Sequence, residues 1–213
     1  MYISDKYKTV FIFPESTASR SISKWFTDNY EAFEAIGKHG FDLNVIAQYW
    51  GQEYTNQLKT YTICMTVRHP FRRMLSMFLR LSAWKNHNDG HGLLWESFDE
   101  WLDYLIVGSK IKTAYGARNE WVYFDDLERN FFRPVKQSEI YQDVVNDFGR
   151  VDYLIHQEFP VFDLKQLPFI KENVDLPNIG VSRIDLPRYD RWDYRQKVFE
   201  YCPEEFELFG YQK

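Results

Sequence analysis

The segment that decides the fold is KTVFIFPESTASRSI, residues 8–22. Its first part, Lys8–Phe13, is β-branched and aromatic and stops at a proline, which is typical of a buried strand. A polar loop follows. Apolar residues then recur at helical spacing, with Ser19 or Ser21 available as the N-cap. The pattern predicts a strand, a polar loop and a helix that continues to residue 36.

The same order of elements returns later in the chain. Tyr61–Val67 is a second strand-like run, and it is followed by Arg68 and by Pro70, which suits the first turn of a helix. Apolar residues at i, i+3, i+4 and i+7 predict that helix. They are Phe71, Met74, Leu75 and Phe78.

A third strand is predicted at Val151–Ile155, and helical stretches are predicted near residues 94–107 and 193–209. Strands that alternate with helices predict an α/β fold with a central, mostly parallel sheet flanked by helices. A chain of 213 residues and 25.8 kDa suits one compact unit, so residues 1–213 are expected to form a single domain.

Composition argues against several classes of protein. Apolar residues make up 45% of the chain, which is too many for intrinsic disorder. The 26 Lys and Arg against 31 Asp and Glu argue against a nucleic-acid or anionic-membrane partner. Cys64 and Cys202 are too few for a disulfide framework, and no apolar run approaches the ~18 residues of a membrane span. A cytoplasmic, soluble protein with free thiols is expected.

Two loops of the predicted fold carry groups that bind anions. A loop that enters a helix at the carboxyl end of a parallel strand offers unpaired N–H groups and the positive end of the helix dipole. The second loop begins at Arg68, and Ser76 lies two turns into the helix that follows. The first loop combines hydroxyls with a cation, which suits phosphate or sulfate oxygens, although such a turn also serves simply as a helix cap. These residues are Ser16, Thr17, Ser19, Arg20 and Ser21.

Together the two loops resemble the nucleotide-binding loops of the sulfotransferase superfamily, whose members transfer a sulfuryl group from 3′-phosphoadenosine 5′-phosphosulfate (PAPS). In that family a strand ends in the pattern Pro-Lys-Thr-Ala/Gly-Ser/Thr-x-Ser-Ile, which forms the first loop. The stretch that resembles it here is Pro14 followed by TASRSI at residues 17–22. The second element resembles Val-Arg-x-Pro-x-x-Arg-x-x-Ser-x-Tyr/Phe, which VRHPFRRMLSMF matches at residues 67–78. Weaker matches continue through residues 134–138 and 151–158, so the resemblance spans most of the chain.

The resemblance implies a P-loop-like, three-layer sulfotransferase of the carbohydrate-modifying branch, with a sugar or small metabolite as acceptor and no metal. It implies that Arg68 and Ser76 hold the 3′-phosphate and that the first loop wraps the 5′ side. That loop comprises Ser16, Thr17, Ala18, Ser19, Arg20 and Ser21. His39 stands where the family keeps a histidine, so it would take the acceptor's proton, although a loop histidine is by default a surface residue.

One position departs from the family pattern. The family has a lysine after the loop proline, which stabilises charge on the departing phosphate, whereas here Glu15 or Ser16 takes that place. Loss of one preorganised charge donor costs about 10² to 10³ in rate. The Glu15 carboxylate would repel a phosphate, so it is expected to face away from the ligand or to be paired.

Three hypotheses for the function of the chain are considered. Either Arg20 or Lys24, one turn later, supplies the missing charge for an active sulfotransferase. Alternatively, the chain is a catalytically impaired nucleotide- or glycan-binding module of the same fold. A kinase of P-loop-like architecture is disfavoured, because the glycines and the Gly-Lys-Ser/Thr ending of a Walker A loop are absent.

Overall fold

The computed structural model describes residues 1–17, 19–36, 42–85, 97–108, 121–126, 129–171, 173–177 and 186–212. The strands are β1 (Tyr2–Ser4), β2 (Thr9–Ile12), β3 (Phe33–Glu34), β4 (Thr62–Val67), β5 (Trp121–Asp126), β6 (Arg129–Pro134) and β7 (Tyr153–His156). The helices are α1 (Ser19–Asn29), α2 (Leu43–Trp50), α3 (Gln52–Leu58), α4 (Pro70–Lys85), α5 (Phe98–Gly108), α6 (Gln137–Phe148), α7 (Pro160–Leu164), α8 (Leu186–Tyr189), α9 (Trp192–Tyr201) and α10 (Pro203–Leu208).

The chain divides into two compact units, which are described separately. The first unit contains β1 to β4, β7, α1 to α3, α6 and α7. The second unit contains α4, α5, β5, β6 and α8 to α10. The expectation that residues 1–213 form a single domain stays a prediction.

A five-stranded mixed sheet organises the first unit, with the strand order β3-β1-β2-β4-β7. The strands β2, β4 and β7 are parallel, whereas β1 pairs antiparallel with both β2 and β3. The three strands predicted from the sequence are these parallel strands. The predicted α/β fold with a mostly parallel central sheet is confirmed, and the antiparallel edge is an addition to it.

Helices cover both faces of this sheet. On one face Val10 and Ile12 of β2 and Ile63 of β4 pack with apolar residues of α2, α3 and α6. On the other face Phe11 and Cys64 pack with apolar residues of α1 and α7. Burial on both faces explains why the central strands are continuous apolar runs rather than alternating ones.

The helix α1 is shorter than its sequence pattern predicts. It begins at Ser19, so Ser21 lies inside the helix, and it ends at Asn29, whose side-chain amide donates to the carbonyl oxygen four residues earlier at 2.8 Å. Glu31 has a φ of 50°, a left-handed conformation that takes the chain out of the helix. Phe33 then lies in the edge strand β3 with 36% of its surface exposed. The prediction that the helix continues to residue 36 is therefore wrong.

Apolar side chains of α4, α5, α9 and α10 form the core of the second unit. Arg73 of α4 is only 2% exposed and donates through Nη2 to the Val135 carbonyl oxygen at 2.8 Å. The helical stretch predicted over residues 193–209 is two helices, because Pro203 cannot continue α9 and instead begins α10. All four members of the predicted α4 stripe are buried: Phe71, Met74, Leu75 and Phe78.

The two cysteines are buried thiols, and neither is in a disulfide, as predicted. Burial raises the pKa of both the Cys64 and the Cys202 thiol well above the ordinary value. Both side chains therefore act as small apolar residues. Within the described ranges, no helix combines the length and the apolar character that crossing a bilayer requires.

Candidate anion-binding site

Two loops leave the sheet at the carboxyl ends of neighbouring parallel strands. The β2 corner, residues 13–17, follows β2, and the β4 corner consists of Val67 and Arg68. Ile12 and Met65 are Cα partners in the parallel ladder between the two strands. Because the strands run the same way and pair directly, both corners emerge at one edge of the sheet, where parallel α/β proteins bind their ligands.

Direct hydrogen bonds join the two corners. The Arg68 guanidinium donates through Nη1 to the Ser16 carbonyl oxygen at 3.1 Å. The hydroxyl oxygens of Thr17 and of Thr66 in β4 are 2.6 Å apart. Since the Thr17 hydroxyl donates its one proton to the Pro14 carbonyl oxygen at 2.5 Å, the Thr66 hydroxyl is the donor to Thr17. The structure thus brings together Ser16, Thr17 and Arg68, all of which the sequence predicts as site residues.

A buried amide fixes the backbone of the β4 corner. Gln137, the first residue of α6, is 0% exposed. Its Nε2 donates to the Arg68 carbonyl oxygen, and its Oε1 accepts from the Arg68 backbone N–H, both at 2.9 Å. Arg68 is therefore held at its backbone by one element and at its guanidinium by another. No sequence pattern assigns Gln137 this role, although it falls within the weak downstream resemblance.

The backbone of the β2 corner has a conformation suited to presenting N–H groups. Ser16 has a φ of 64°, a left-handed conformation that is uncommon in non-glycine residues and is typical of functional loops. Left-handed residues are components of the concave nests of N–H groups that bind anions. The helix α1 begins three residues later, at Ser19, and its first turn contains no acidic residue. The positive end of its dipole therefore meets no acidic residue within the first turn of the helix itself.

Glu15 lies within the β2 corner with its carboxylate shielded from water. The residue is 1% exposed, and both of its carboxylate oxygens are buried. The carboxylate therefore does not form part of the solvent-facing surface of the corner. That it faces away from a bound phosphate stays a prediction. The position after Pro14 nevertheless carries a carboxyl group where the resembled family has a lysine.

The two candidate sources of the missing positive charge lie along α1. Arg20 is exposed and, together with Lys24, lines an open depression of about 570 Å³ beside the edge strand β3. The Lys24 ammonium pairs with the Asp28 carboxylate at 2.9 Å. A role for either cation at the β2 corner stays a prediction.

The other predicted site residues are placed as follows. Ser21 is half-buried on α1 in the first unit, and Ser76 is half-buried on α4 in the second unit. Ala18, His39 and the side chain of Ser19 lie outside the described residues. Among the side chains that the structure does describe, no group of three or more His, Cys, Asp and Glu is placed to hold a metal ion.

The third parallel strand places a histidine at the same edge of the sheet. His156 is the last residue of β7 and the Cα partner of Val67. The Asp163 carboxylate of α7 lies 2.8 Å from Nδ1 of His156 and accepts the His156 backbone N–H at 2.6 Å. Sequence periodicity does not find this pair, because the five-residue helix that carries Asp163 is too short to show a pattern.

A scan against protein-family models, a search of curated proteins and a search of solved structures find no match to this chain. The sulfotransferase resemblance therefore rests on the motifs of the chain itself, mainly on residues 14–22 and 67–78.

The hydroxyl pair of Thr17 and Thr66, which joins the β2 corner to β4, predicts a measurable stability effect. We expect Thr17→Val to lower the free energy of unfolding by about 1 to 3 kcal/mol, because it removes a hydroxyl that is fully buried between Pro14 and Thr66. The matched control is Thr27→Val on α1, whose hydroxyl bonds a helix carbonyl in contact with solvent and whose loss costs about 0.5 kcal/mol or less. Urea denaturation measures both values, and equal losses would contradict a bracing role for Thr17.

Proposed function

We propose that this protein binds PAPS at the two corners and transfers the sulfuryl group to a hydroxyl of a sugar or other small metabolite. The observation that carries the proposal is the direct bond between the Arg68 guanidinium and the Ser16 carbonyl oxygen at the carboxyl edge of paired parallel strands. A nucleotide with phosphates at its 3′ and 5′ positions requires two anion sites at a fixed separation. The P-loop-like assignment of the fold is part of this proposal.

The described residues suit the two phosphate groups in different ways. A guanidinium has five N–H donors, so the contact of Arg68 with Ser16 is compatible with a further contact to the 3′-phosphate. At the β2 corner, the Thr17 hydroxyl is occupied inside the protein, so Thr17 contributes its backbone N–H to the 5′ side. The half-buried Ser16 and the start of α1 contribute beside it. Ala18, Ser19 and Ser21 keep the binding roles that the resemblance implies, and the role of Ser76 stays a prediction.

The chain's contribution to transfer is positioning and charge stabilisation. When bound, PAPS supplies the activated sulfuryl group. The β2 corner and α1 hold the 5′ side, and Arg20 is the proposed source of the side-chain charge that the missing lysine would supply. His39 is the proton acceptor that the resemblance implies.

Glu15 favours a second candidate function, a nucleotide- or glycan-binding module that does not transfer sulfate. Its buried carboxylate occupies the β2 corner, where the resembled enzymes carry a lysine. Without that lysine the binding of phosphate groups can persist, whereas stabilisation of the leaving phosphate is reduced by about 10² to 10³ in rate.

Binding and transfer assays separate these candidates. We expect adenosine 3′,5′-bisphosphate at about 100 times its Kd to add ~2.7 kcal/mol of stability, which raises Tm by roughly 5 to 10 °C. ATP with magnesium should leave Tm unchanged. Transfer of labelled sulfate from PAPS to galactose or 2-naphthol identifies the enzyme, and binding without transfer identifies the module. A Tm shift with ATP and magnesium, but none with the bisphosphate, would contradict both.

A further inference from the structure

We propose that a depression on the surface of the second unit binds a small organic cation that carries a quaternary ammonium group. This cavity, the α10 depression, is lined by residues of α9 and α10 and by Tyr211. The inference goes beyond the proposed function and does not depend on it, because none of the lining residues belongs to the two corners. It is carried by a cavity of ligand size whose described lining combines aromatic rings with carboxylates and includes no basic residue.

The size and the lining of the α10 depression are those of a small-molecule site. Its volume is about 550 Å³. Pockets for small ligands measure about 300 to 1,000 Å³ and are lined mainly by apolar and aromatic side chains with a few polar groups. An apolar wall whose charged groups are all negative favours a ligand that is partly apolar and positively charged. The described lining residues are Phe199, Pro203, Glu204, Phe206, Glu207 and Tyr211.

The aromatic wall is held in place by contacts within the protein. The rings of Phe199 and Phe206 meet edge to face, with their centroids 5.3 Å apart. The centroid of the His69 ring lies 5.5 Å from that of Phe206 and 5.2 Å from that of Tyr211. The Tyr211 N–H also donates to the Phe206 carbonyl oxygen at 2.9 Å. Since these contacts already order the rings, binding a ligand against them costs little additional conformational entropy.

Two carboxylates determine the sign of the charge that the depression favours. Glu204 and Glu207 lie one turn apart on α10, so their side chains share one side of the helix. Glu204 pairs with the Lys136 ammonium at 2.9 Å, whereas no residue in the described part of the chain donates to or pairs with the Glu207 carboxylate. The net charge of -5 on the whole chain adds to the attraction of a cation. Glu207 is therefore the group that a bound cation neutralises.

Lys136 shows how this surface holds an ammonium group. Its Nζ lies 2.9 Å from the Glu204 carboxylate and 4.8 Å from the centroid of the Tyr201 ring. A carboxylate and an aromatic face thus hold a cation at the border of the depression, which Glu204 itself lines. Inside the depression, Glu207 and the aromatic wall offer the same two kinds of group to a cation from solution.

A quaternary ammonium ion suits these groups better than a primary ammonium or a metal ion. It has no N–H donor, so it binds through its charge and through contact of its methyl groups with aromatic faces. A primary ammonium is strongly hydrated and loses more on leaving water. A metal ion needs several ligands at short distances, and among the described side chains no group of three or more His, Cys, Asp and Glu is placed to hold one.

The test is an NMR titration of the 213-residue chain with choline, without nucleotide. We expect the backbone amide signals of Phe206, Glu207 and Tyr211 to shift together and to fit one Kd of about 1 mM or lower. The matched ligand is 3,3-dimethylbutan-1-ol, in which a carbon atom replaces the nitrogen of choline. Because this alcohol has the same shape without the charge, it should bind at least about 10-fold more weakly.

Variants of the lining separate the charge from the rings. Glu207→Gln removes the charge with little change of shape and should weaken choline binding about 5-fold or more. The matched control is Glu200→Gln, an exposed carboxylate of α9 that does not line the depression, and its Kd should stay within about twofold of the wild type. Tyr211→Leu keeps an apolar side chain without the ring and should also weaken binding about 5-fold or more, with circular dichroism as the check on its folding.

Three results would overturn the proposal. The first is the absence of saturable shifts at about 50 mM choline, roughly 50 times the expected Kd. The second is equal affinity for choline and for its neutral analogue, which would leave charge without a role. The third is equal weakening by Glu207→Gln and Glu200→Gln, which would assign the effect to the net charge of the protein. Absence of bisphosphate binding would instead reject the proposed function and leave this inference unchanged.

Discussion

Arg68→Ala is expected to abolish the thermal shift that adenosine 3′,5′-bisphosphate produces and to weaken its binding about 100-fold. Charge-assisted hydrogen bonds contribute about 1.5 to 3 kcal/mol each, and 2.7 kcal/mol corresponds to about a 100-fold change in Kd. The guanidinium also holds the Ser16 carbonyl oxygen, so its removal loosens the β2 corner as well as the β4 corner. Calorimetric titration with the bisphosphate measures the effect.

The matched control is Arg72→Ala, which removes an exposed arginine four positions along the chain. It should leave the bisphosphate Kd within about twofold of the wild type. Because Arg68→Ala also removes an internal bond, each Tm shift is taken relative to the same variant without nucleotide. Arg68→Lys keeps the charge but lacks the planar fork, and should bind with intermediate affinity. A wild-type Kd in Arg68→Ala would reject the role assigned to this residue.

Gln137→Ala is expected to have the largest effect on stability among the site residues. The side chain is fully buried and makes two hydrogen bonds at 2.9 Å to the backbone of Arg68, so its truncation leaves the part-buried Arg68 N–H and C=O without that amide. We expect a loss of about 2 to 4 kcal/mol, which lowers Tm by roughly 5 to 15 °C. Bisphosphate binding should weaken too, because the Arg68 backbone loses its anchor.

The control on the same helix is Gln142→Ala, whose exposed amide bonds Asn146 at 3.1 Å and whose loss should change Tm by about 1 °C or less. The near-isosteric Gln137→Glu distinguishes the effect of lost side-chain volume from that of a lost hydrogen bond. It keeps the volume and the acceptor for the Arg68 N–H, but it replaces the donor with a carboxylate oxygen that faces the Arg68 carbonyl oxygen. If Gln137→Ala and Gln142→Ala have the same Tm, the amide does not hold the corner.

The central strands could be predicted because their sequences reflect burial on both faces. β2 and β4 are continuous apolar runs, and each is followed by a loop and a helix, which is enough to indicate parallel strands. The edge strands β1 and β3 have three and two residues, too few to show any periodicity. Arg73 also escapes sequence prediction, since it lies outside the apolar stripe of α4 yet is buried through its bond to a backbone carbonyl.

The candidate site was predictable to the extent that it depends on local order. The order strand, polar loop and helix occurs twice. Because β2 and β4 are neighbouring parallel strands, their carboxyl ends lie at one edge of the sheet. The residues that hold the two corners in place do so through contacts with residues far away in the sequence. Local sequence patterns do not predict such contacts. Gln137 is 69 residues from the backbone it holds, and Ser16 is 52 residues from the guanidinium that contacts it.

The most direct test of the central claim, that both corners hold one nucleotide, is an NMR titration of the wild-type protein with adenosine 3′,5′-bisphosphate. The account predicts that the backbone amide signals of Ser16, Thr17 and Arg68 shift together and fit a single Kd. ATP with magnesium should not reproduce these shifts. Saturable changes confined to one corner, or to residues distant from both, would contradict it.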